Sequence, residues 1–146
     1  MSLPNKLAEI VSSFKTVPKP VRLQLLLEYA NKLAPLPEHI KEGDALEQVH
    51  ECQTPFFVAA ELENGKAHLY FDAPPEAPTT RGFAGILSEG LSGESAESIL
   101  AAPDAFYTEM GLAEVISPLR LRGMAAIMSR LKRQIREKSN LEASSS

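Results

Sequence analysis

A two-residue turn between two strands constrains the fold of this chain more than any other feature. Phe56 to Glu63 and Lys66 to Asp72 both read as strands, and Asn64-Gly65 lies between them. Both turn residues tolerate positive φ, so the segment predicts a hairpin closed by a type I′ turn. This loop length places Glu63 opposite Lys66. One face of the hairpin is then wholly apolar and must be covered by helices; its residues are Val58, Ala60, Leu62, Ala67, Leu69 and Phe71.

Helical patterns flank the hairpin on both sides. The predicted elements before it are a helix from about Pro4, a helix from about Lys19 to Leu33, a polar loop over residues 39–44 and a short strand from Leu46 to Glu51. Four helices are predicted after the hairpin. The first is capped by Thr79 or Thr80 and ends near Gly90, the second runs from about Glu94 to Ala101, and the third runs from Pro103 to Gly111. The last helix has Ser117 at the cap and Pro118 in the first turn. Gly82 and Gly85 within the first of these predict close packing against another helix.

This order of elements predicts an α+β fold. We expect a small antiparallel sheet of about three strands, with the N-terminal and C-terminal helices packed on one face. Residues 3–138 form a single domain in this interpretation, and residues 139–146 form a disordered tail.

Composition limits the classes of function. Of the 146 residues, 44% are hydrophobic and 23% are charged, as is usual for a globular protein, and the net charge of −4 does not favour nucleic acid as a partner. No apolar run approaches the ~20 residues that span a bilayer, and no export signal is evident, so we expect a cytoplasmic protein without membrane attachment. Basic residues concentrate between Arg120 and Lys138. This basic face is interpreted as solvated or as a docking surface for an acidic protein.

Cys52 is the only cysteine. It cannot form an internal disulfide, so its role is nucleophilic or sulfur-carrying, or else it is a small buried apolar residue. Its position beside Gln53, Thr54 and Pro55, in a connection between strands, favours a functional role because such loops lie at the surface. An active thiol needs a nearby cation or a helix N-terminus to form a thiolate.

Arg120 and Arg122 are the candidate cations. They fall in the first turns of the last helix, where positive charge opposes the helix macrodipole. Arg120 therefore either projects toward an anion, such as the thiolate, or pairs with Glu114 or Glu76. His50 is either a group that tunes the thiol or a half-exposed strand residue. The three histidines, with Cys52, match no compact zinc motif, so no metal site is expected.

Several motifs together resemble the SufE family of sulfur-acceptor proteins. They are Cys52-Gln53-Thr54 before an apolar strand and hairpin, an acidic loop before Arg81-Gly82-Phe83, Met110-Gly111-Leu112, and Ser117-Pro118-x-Arg120-x-x-Gly123-Met124. The resemblance implies that Cys52 takes persulfide sulfur from a cysteine desulfurase, stimulates that enzyme and delivers the sulfur to an iron–sulfur scaffold. Pyridoxal phosphate would belong to the desulfurase, so no cofactor is expected here, and the protein would act as a monomer or weak dimer.

The resemblance also assigns roles to residues. Cys52 would be the persulfide acceptor, and Arg120 would stabilise the sulfur anion or contact the desulfurase. The residues expected to bind the partner are Glu51, Gln53, Thr54, Glu76 and Arg122. The family often has a small residue where Glu51 stands, and a nearby carboxylate would raise the thiol pKa. We further expect a sheltered Cys52 whose loop flips outward to reach the partner.

Two other functions stay open from the sequence. One is a single-cysteine sulfurtransferase or hydrolase that acts on small molecules. The other is an interaction module with an inert thiol. Independent enzymatic activity is not expected.

Overall fold

The computed structural model describes residues 3–52 and 54–145, with side chains described as far as residue 140. The helices are α1 (Asn5–Thr16), α2 (Lys19–Ala30), α3 (Glu38–Lys41), α4 (Pro78–Leu91), α5 (Ala96–Ala101) and α6 (Pro118–Ser145). The strands are β1 (Glu47–Gln48), β2 (Phe57–Glu63) and β3 (Lys66–Asp72). Two 3₁₀ turns cover Phe106–Met110 and Leu112–Glu114. The prediction of an α+β fold with a three-stranded antiparallel sheet is confirmed.

The β2–β3 hairpin has the predicted turn and register. Asn64 and Gly65 have φ values of 55° and 78°, which are the positive values that a type I′ turn requires. Glu63 pairs with Lys66, and the register continues without a bulge to Phe57 and Asp72. The apolar face predicted from this register is buried, apart from the partly buried Leu62.

The first strand is shorter than predicted. Only Glu47 and Gln48 pair with β2, whereas a strand from Leu46 to Glu51 was expected. The chain leaves the sheet because it bends back on itself, and the Cys52 N–H donates to the carbonyl of Val49 at 3.2 Å. The free part of the β2 edge is covered by α6 instead. Gln134 accepts from the Ala60 N–H at 2.8 Å, and Lys138 donates to the Ala60 carbonyl.

Helix α4 packs closely against α2, as its glycines predict. A Cβ on Gly85 would overlap the carbonyl oxygen of Tyr29, so only glycine permits the two helix backbones to come this near. Both helices contribute to one core, together with α1 and α6. The helices therefore cover the apolar face of the hairpin.

Some element boundaries differ from the predicted ones. The polar loop predicted for residues 39–44 begins instead within the single turn of α3, which is held by the fully buried side chain of Ile40. Helix α4 begins at Pro78 without a side-chain cap, so neither Thr79 nor Thr80 has the predicted capping role; proline at the first position already has helical φ. Helix α2 ends at Ala30 rather than Leu33.

Two helices predicted in the C-terminal part of the chain also differ from the structure. The helix predicted from Pro103 to Gly111 is a 3₁₀ turn that ends at Gly111, where φ is 72°. Helix α6 begins at Pro118 as predicted, and its backbone continues to Ser145, across most of the tail that was predicted to be disordered. Among the described residues, no helix has the length and apolar character that crossing a bilayer requires.

Candidate functional site

Cys52 lies in a loop whose base is anchored in the sheet. The Val49 N–H donates to the Phe56 carbonyl at 2.8 Å, and both side chains are fully buried. These two residues form the neck of the loop, and we call residues 50–52 together with 54–55 the Cys52 loop. Gln53 lies outside the described residues. A loop that leaves the sheet at a hydrogen-bonded neck can move without disturbing the strands.

The sulfur of Cys52 packs against helix α6 at Gly123. A Cβ built on Gly123 would lie 3.3 Å from the Cys52 Sγ and 3.7 Å from the Cys52 Cα. Glycine in a helix interior is unfavourable by about 1 kcal/mol relative to alanine, so this close approach is the physical reason for a glycine here. Cys52 is partly buried against the core in this arrangement. The expectation of a sheltered thiol is consistent with this placement.

The surroundings of Cys52 favour the protonated thiol. The pKa of Cys52 is raised from 9.0 to about 11, mainly by burial and also by the Glu51 carboxylate, while the charge of Arg130 opposes the shift. At neutral pH only about one molecule in 10⁴ would then carry a thiolate. The predicted effect of Glu51 on the thiol pKa has the expected direction. The closed loop therefore holds the nucleophile in an unreactive form.

Arg130 is the residue of this site that the sequence did not single out. Its guanidinium group binds the Glu51 carboxylate through both oxygens, with Nη1–Oε1 at 2.9 Å and Nη2–Oε2 at 3.3 Å. It also contacts Glu47 at 3.3 Å and donates to the Gln48 carbonyl at 3.4 Å. A signal was present, because Arg130 follows Gly123 by two helical turns and lies on the same face of the helix.

Arg120 lies one turn before Gly123 on that face, since residues three apart are neighbours on a helix. Its backbone N–H donates to the Ser117 hydroxyl at 3.4 Å, which places it in the first turn as predicted. The alternative partner Glu114 instead binds Arg22 at 2.5 Å. The Arg120 side chain is exposed, and no ion pair among the described residues includes it. Arg120 and Arg130 thus stand on either side of the glycine that contacts Cys52.

Three other residues predicted to belong to the site have exposed side chains. Glu76 and Arg122 are exposed, and within the described part of the chain no ion pair joins either of them to the Cys52 loop. Glu76 lies in a turn in which the Ala77 N–H donates to the Pro74 carbonyl. His50 is exposed. The pKa of Glu51 is lowered by a backbone hydrogen bond, by Arg130 and by the charge of His50.

Thr54 has an unusual environment for a loop residue. Its hydroxyl oxygen is buried, and no hydrogen-bond partner for it exists among the described residues. A buried unsatisfied hydroxyl costs about 1–3 kcal/mol, so the closed loop is not the best possible arrangement for this side chain.

Three of the seven basic residues of α6, Arg130, Lys132 and Arg133, form ion pairs within the described part of the protein. Lys132 is buried and binds Asp104 at 2.6 Å, and Arg133 binds both Glu47 and Glu137. Together with Arg130, these residues fasten the helix to its neighbours. The basic face predicted as a docking surface is consequently smaller than the sequence indicates, and Arg120 and Arg122 are exposed at its start.

These features define a class of protein. Residues 8–135 match the SufE family, described as an Fe-S metabolism associated domain. The match covers most of the chain, so the protein belongs to the SufE family, as its motifs predicted. Family membership supports a sulfur-transfer role in iron–sulfur metabolism and implies a cysteine desulfurase as partner.

Relatives in three organisms show how far this similarity extends. An uncharacterised SufE-like protein of Mycobacterium tuberculosis strain H37Rv is 54% identical over 137 residues, which cover 93% of this chain and 95% of that protein. The cysteine desulfuration protein SufE of Plasmodium vivax is 30% identical over 131 residues, 87% of this chain and 51% of that protein. The solution structure of a hypothetical protein from Thermus thermophilus superposes with a TM-score of 0.85 at 51% identity, covering 94% of this chain and 98% of that one.

Proposed function

We propose that this protein accepts sulfur on Cys52 from the persulfide of a pyridoxal-phosphate-dependent, SufS-like cysteine desulfurase and passes it to an iron–sulfur scaffold. The observation that carries the proposal is the position of Cys52. The only cysteine of a SufE-family chain occupies a loop between the neck residues Val49 and Phe56, against Gly123 of α6. Such a loop can present one thiol to another macromolecule.

The transfer step requires no oxidant. Cys52 first loses its proton to solvent, and its thiolate attacks the outer sulfur of the donor's persulfide. A bond forms between Sγ and that sulfur while the sulfur–sulfur bond of the donor breaks. The electron pair of the broken bond leaves with the donor's cysteine as a thiolate. A chain with no second cysteine then has no internal thiol that could release the sulfur by forming a disulfide.

The loop must open for this reaction to occur. In the closed form Cys52 is partly buried and its pKa is raised to about 11, which disfavours the attacking thiolate. Outward movement would remove both the burial and the contact with Gly123. It would also release the buried Thr54 hydroxyl to solvent, which offsets part of the cost.

We assign the positive charge that meets the incoming sulfur or the partner to Arg120 and Arg122. Both are exposed at the start of α6, and Arg120 lies one turn from the glycine beneath Cys52. We assign to Arg120 the stabilisation of the persulfide anion or the contact with the desulfurase. Arg122, with Glu51, Gln53, Thr54 and Glu76, belongs to the surface assigned to the partner. Clearing the persulfide of the desulfurase would stimulate that enzyme, and a reducing cytoplasm would keep Cys52 a free thiol.

The test is mass spectrometry of the protein after incubation with an active cysteine desulfurase and cysteine. We expect one added sulfur atom on the peptide that contains Cys52, and faster formation of alanine by the desulfurase. The matched control is Cys52→Ser, which should gain no sulfur and give no stimulation. Absence of the adduct, with a desulfurase that turns over cysteine in the presence of a small thiol, would exclude the proposal.

The same experiment separates the two other functions. A small-molecule sulfurtransferase or hydrolase would turn over substrate without the desulfurase. If the protein is an interaction module with an inert thiol, the Cys52→Ser variant should stimulate the desulfurase as strongly as the unmodified protein does.

A further inference from the structure

The Cys52 loop is held against α6 by two contacts of different kinds. One is the packing of Sγ on Gly123, and the other is the pair of charge-assisted hydrogen bonds between Glu51 and Arg130. The two contacts lie about 10 Å apart along the helix, given its rise per residue. Within the described part of the chain, Glu51–Arg130 is the only ion pair that joins the loop to the helix.

Arg130 is itself held firmly in place. Its guanidinium also binds Glu47 and the Gln48 carbonyl, both in β1, and its side chain is 23% exposed while that of Glu51 is 50% exposed. Those additional contacts belong to the sheet, which stays in place when the loop moves. Of the contacts that Arg130 makes, opening the loop therefore has to break only those with Glu51.

We propose that Arg130 is a positioning residue that holds the Cys52 loop closed through Glu51, so that the thiol stays sheltered until a partner displaces the loop. This inference concerns the control of the nucleophile and rests on the proposed function for its purpose. The geometry itself concerns the free protein. It can therefore be tested with a small electrophile and without a desulfurase.

A simpler effect of Arg130 has to be distinguished from this one. The Arg130 charge lowers the pKa of Cys52, in opposition to burial and Glu51. If this electrostatic effect were the only influence of Arg130 on Cys52, removing the charge would leave less thiolate and would slow reactions of the thiol. If Arg130 holds the loop closed, its removal exposes the thiol and speeds the same reactions. The two interpretations predict opposite signs.

The experiment compares the rate at which N-ethylmaleimide modifies Cys52 in folded variants at one fixed pH. We expect Arg130→Gln to react about two- to fivefold faster than the unmodified protein, which is the range that loss of one exposed ion pair allows. Glu51→Gln should also react faster, and part of its gain comes from the lower thiol pKa that loss of the Glu51 charge gives. The double variant should react no faster than the faster single variant, because either change already breaks the pair. A slower Arg130→Gln variant, or effects that multiply in the double variant, would overturn the inference.

Glu137→Gln is the matched control. It removes the carboxylate from another glutamate–arginine pair on α6, Arg133–Glu137, that does not touch the loop. Its modification rate should equal that of the unmodified protein.

Salt and a conservative variant give a second measure if Arg130→Gln fails to fold. Raising the salt concentration to about 1 M should speed modification of the unmodified protein and leave Glu51→Gln nearly unchanged, because only the former has the ion pair to screen. Arg130→Lys keeps the charge but cannot bind both oxygens, so it should react at an intermediate rate. An equal response of both proteins to salt would contradict the inference. If these results contradict the role of Arg130, the proposed formation of a persulfide on Cys52 is still tested separately, by the experiment with the desulfurase.

Discussion

The sulfur of Cys52 rests on Gly123, and a methyl group at that glycine would lie 3.3 Å from Sγ. This distance is tighter than ordinary van der Waals contact, so a side chain at Gly123 would require Cys52 to move by a few tenths of an ångström. The contact joins the single thiol to the helix that carries Arg120, Arg122 and Arg130. It therefore determines both how well the thiol is sheltered and which charges surround it.

Gly123→Ala should open the site at little cost in stability. The added Cβ shifts Cys52 away from the helix by a few tenths of an ångström and loosens the closed loop, while the helix gains about 1 kcal/mol from the better propensity of alanine. We expect faster modification of Cys52 by N-ethylmaleimide with a nearly unchanged midpoint of thermal unfolding. Unchanged modification kinetics would show that the loop is not displaced.

Gly85→Ala is the contrasting control. Its Cβ would overlap the backbone oxygen of Tyr29, which cannot move aside as a loop can. We expect this variant to lose about 1–3 kcal/mol of unfolding free energy, measured by chemical denaturation, without a specific effect on Cys52.

The pH dependence of thiol modification should reflect the raised pKa. The rate should rise about tenfold per pH unit and keep rising beyond pH 9.0, the usual pKa of the group, because the pKa of Cys52 is raised to about 11. Measurement of the N-ethylmaleimide rate across this range checks the prediction. A plateau near the usual pKa would mean that the thiol is already exposed.

The same shift predicts a loss of stability at high pH. Between pH 9.0 and about 11 the folded protein retains the Cys52 proton while the unfolded chain has released it, so the free energy of unfolding falls as pH rises through this window. Cys52→Ala should lack this contribution. Because tyrosines also titrate in this range, the difference between the two proteins is the quantity to measure.

Gln134 should contribute strongly to stability. Its side-chain oxygen accepts the Ala60 N–H at 2.8 Å, its amide donates to the Val58 carbonyl at 3.4 Å, and it is 6% exposed. Gln134→Leu leaves these strand groups buried without partners and should cost about 1–3 kcal/mol of unfolding free energy in urea denaturation. The same substitution at the exposed Gln24 should change stability by no more than about 0.5 kcal/mol. Equal effects at both positions would contradict this role.

Arg120→Ala should impair sulfur transfer without harming the fold. The side chain is exposed, and we expect a transfer rate from the desulfurase about fivefold lower, typical of losing one significant interface contact. Arg136→Ala removes an exposed arginine much further along the same helix and serves as the control. Comparable losses in both variants would indicate a general effect of charge rather than a specific role for Arg120.

Local chemistry made several parts of the fold predictable. The turn at Asn64-Gly65 restricts φ strongly enough to determine the register of the whole hairpin, and the start of α6 at Pro118 follows from the preceding serine cap. Other boundaries were wrong because tertiary contacts decide them. Helix α3 exists because Ile40 is buried, and β1 is short because the chain turns toward α6.

Of the groups that meet at the candidate site, the sequence singled out Cys52 and Glu51 but not Arg130, and the role of Arg120 stays a prediction. Glu51 and Arg130 are separated by 79 positions, and no local pattern indicates that they meet. Gly123 was noted as part of a motif, but its contact with Cys52 follows from the packing of the loop on the helix.

The amino-acid sequence alone determined the α+β architecture, the hairpin register and the identity of the thiol, because each depends on periodicity, on the φ preferences of single residues or on the presence of one cysteine. The tertiary structure decided the environment of that thiol. The raised pKa of Cys52, its contact with Gly123 and the Glu51–Arg130 pair all arise where the loop meets α6. Burial and the distances between charges are properties of packed surfaces, and they come into being only when distant segments of the chain are brought together.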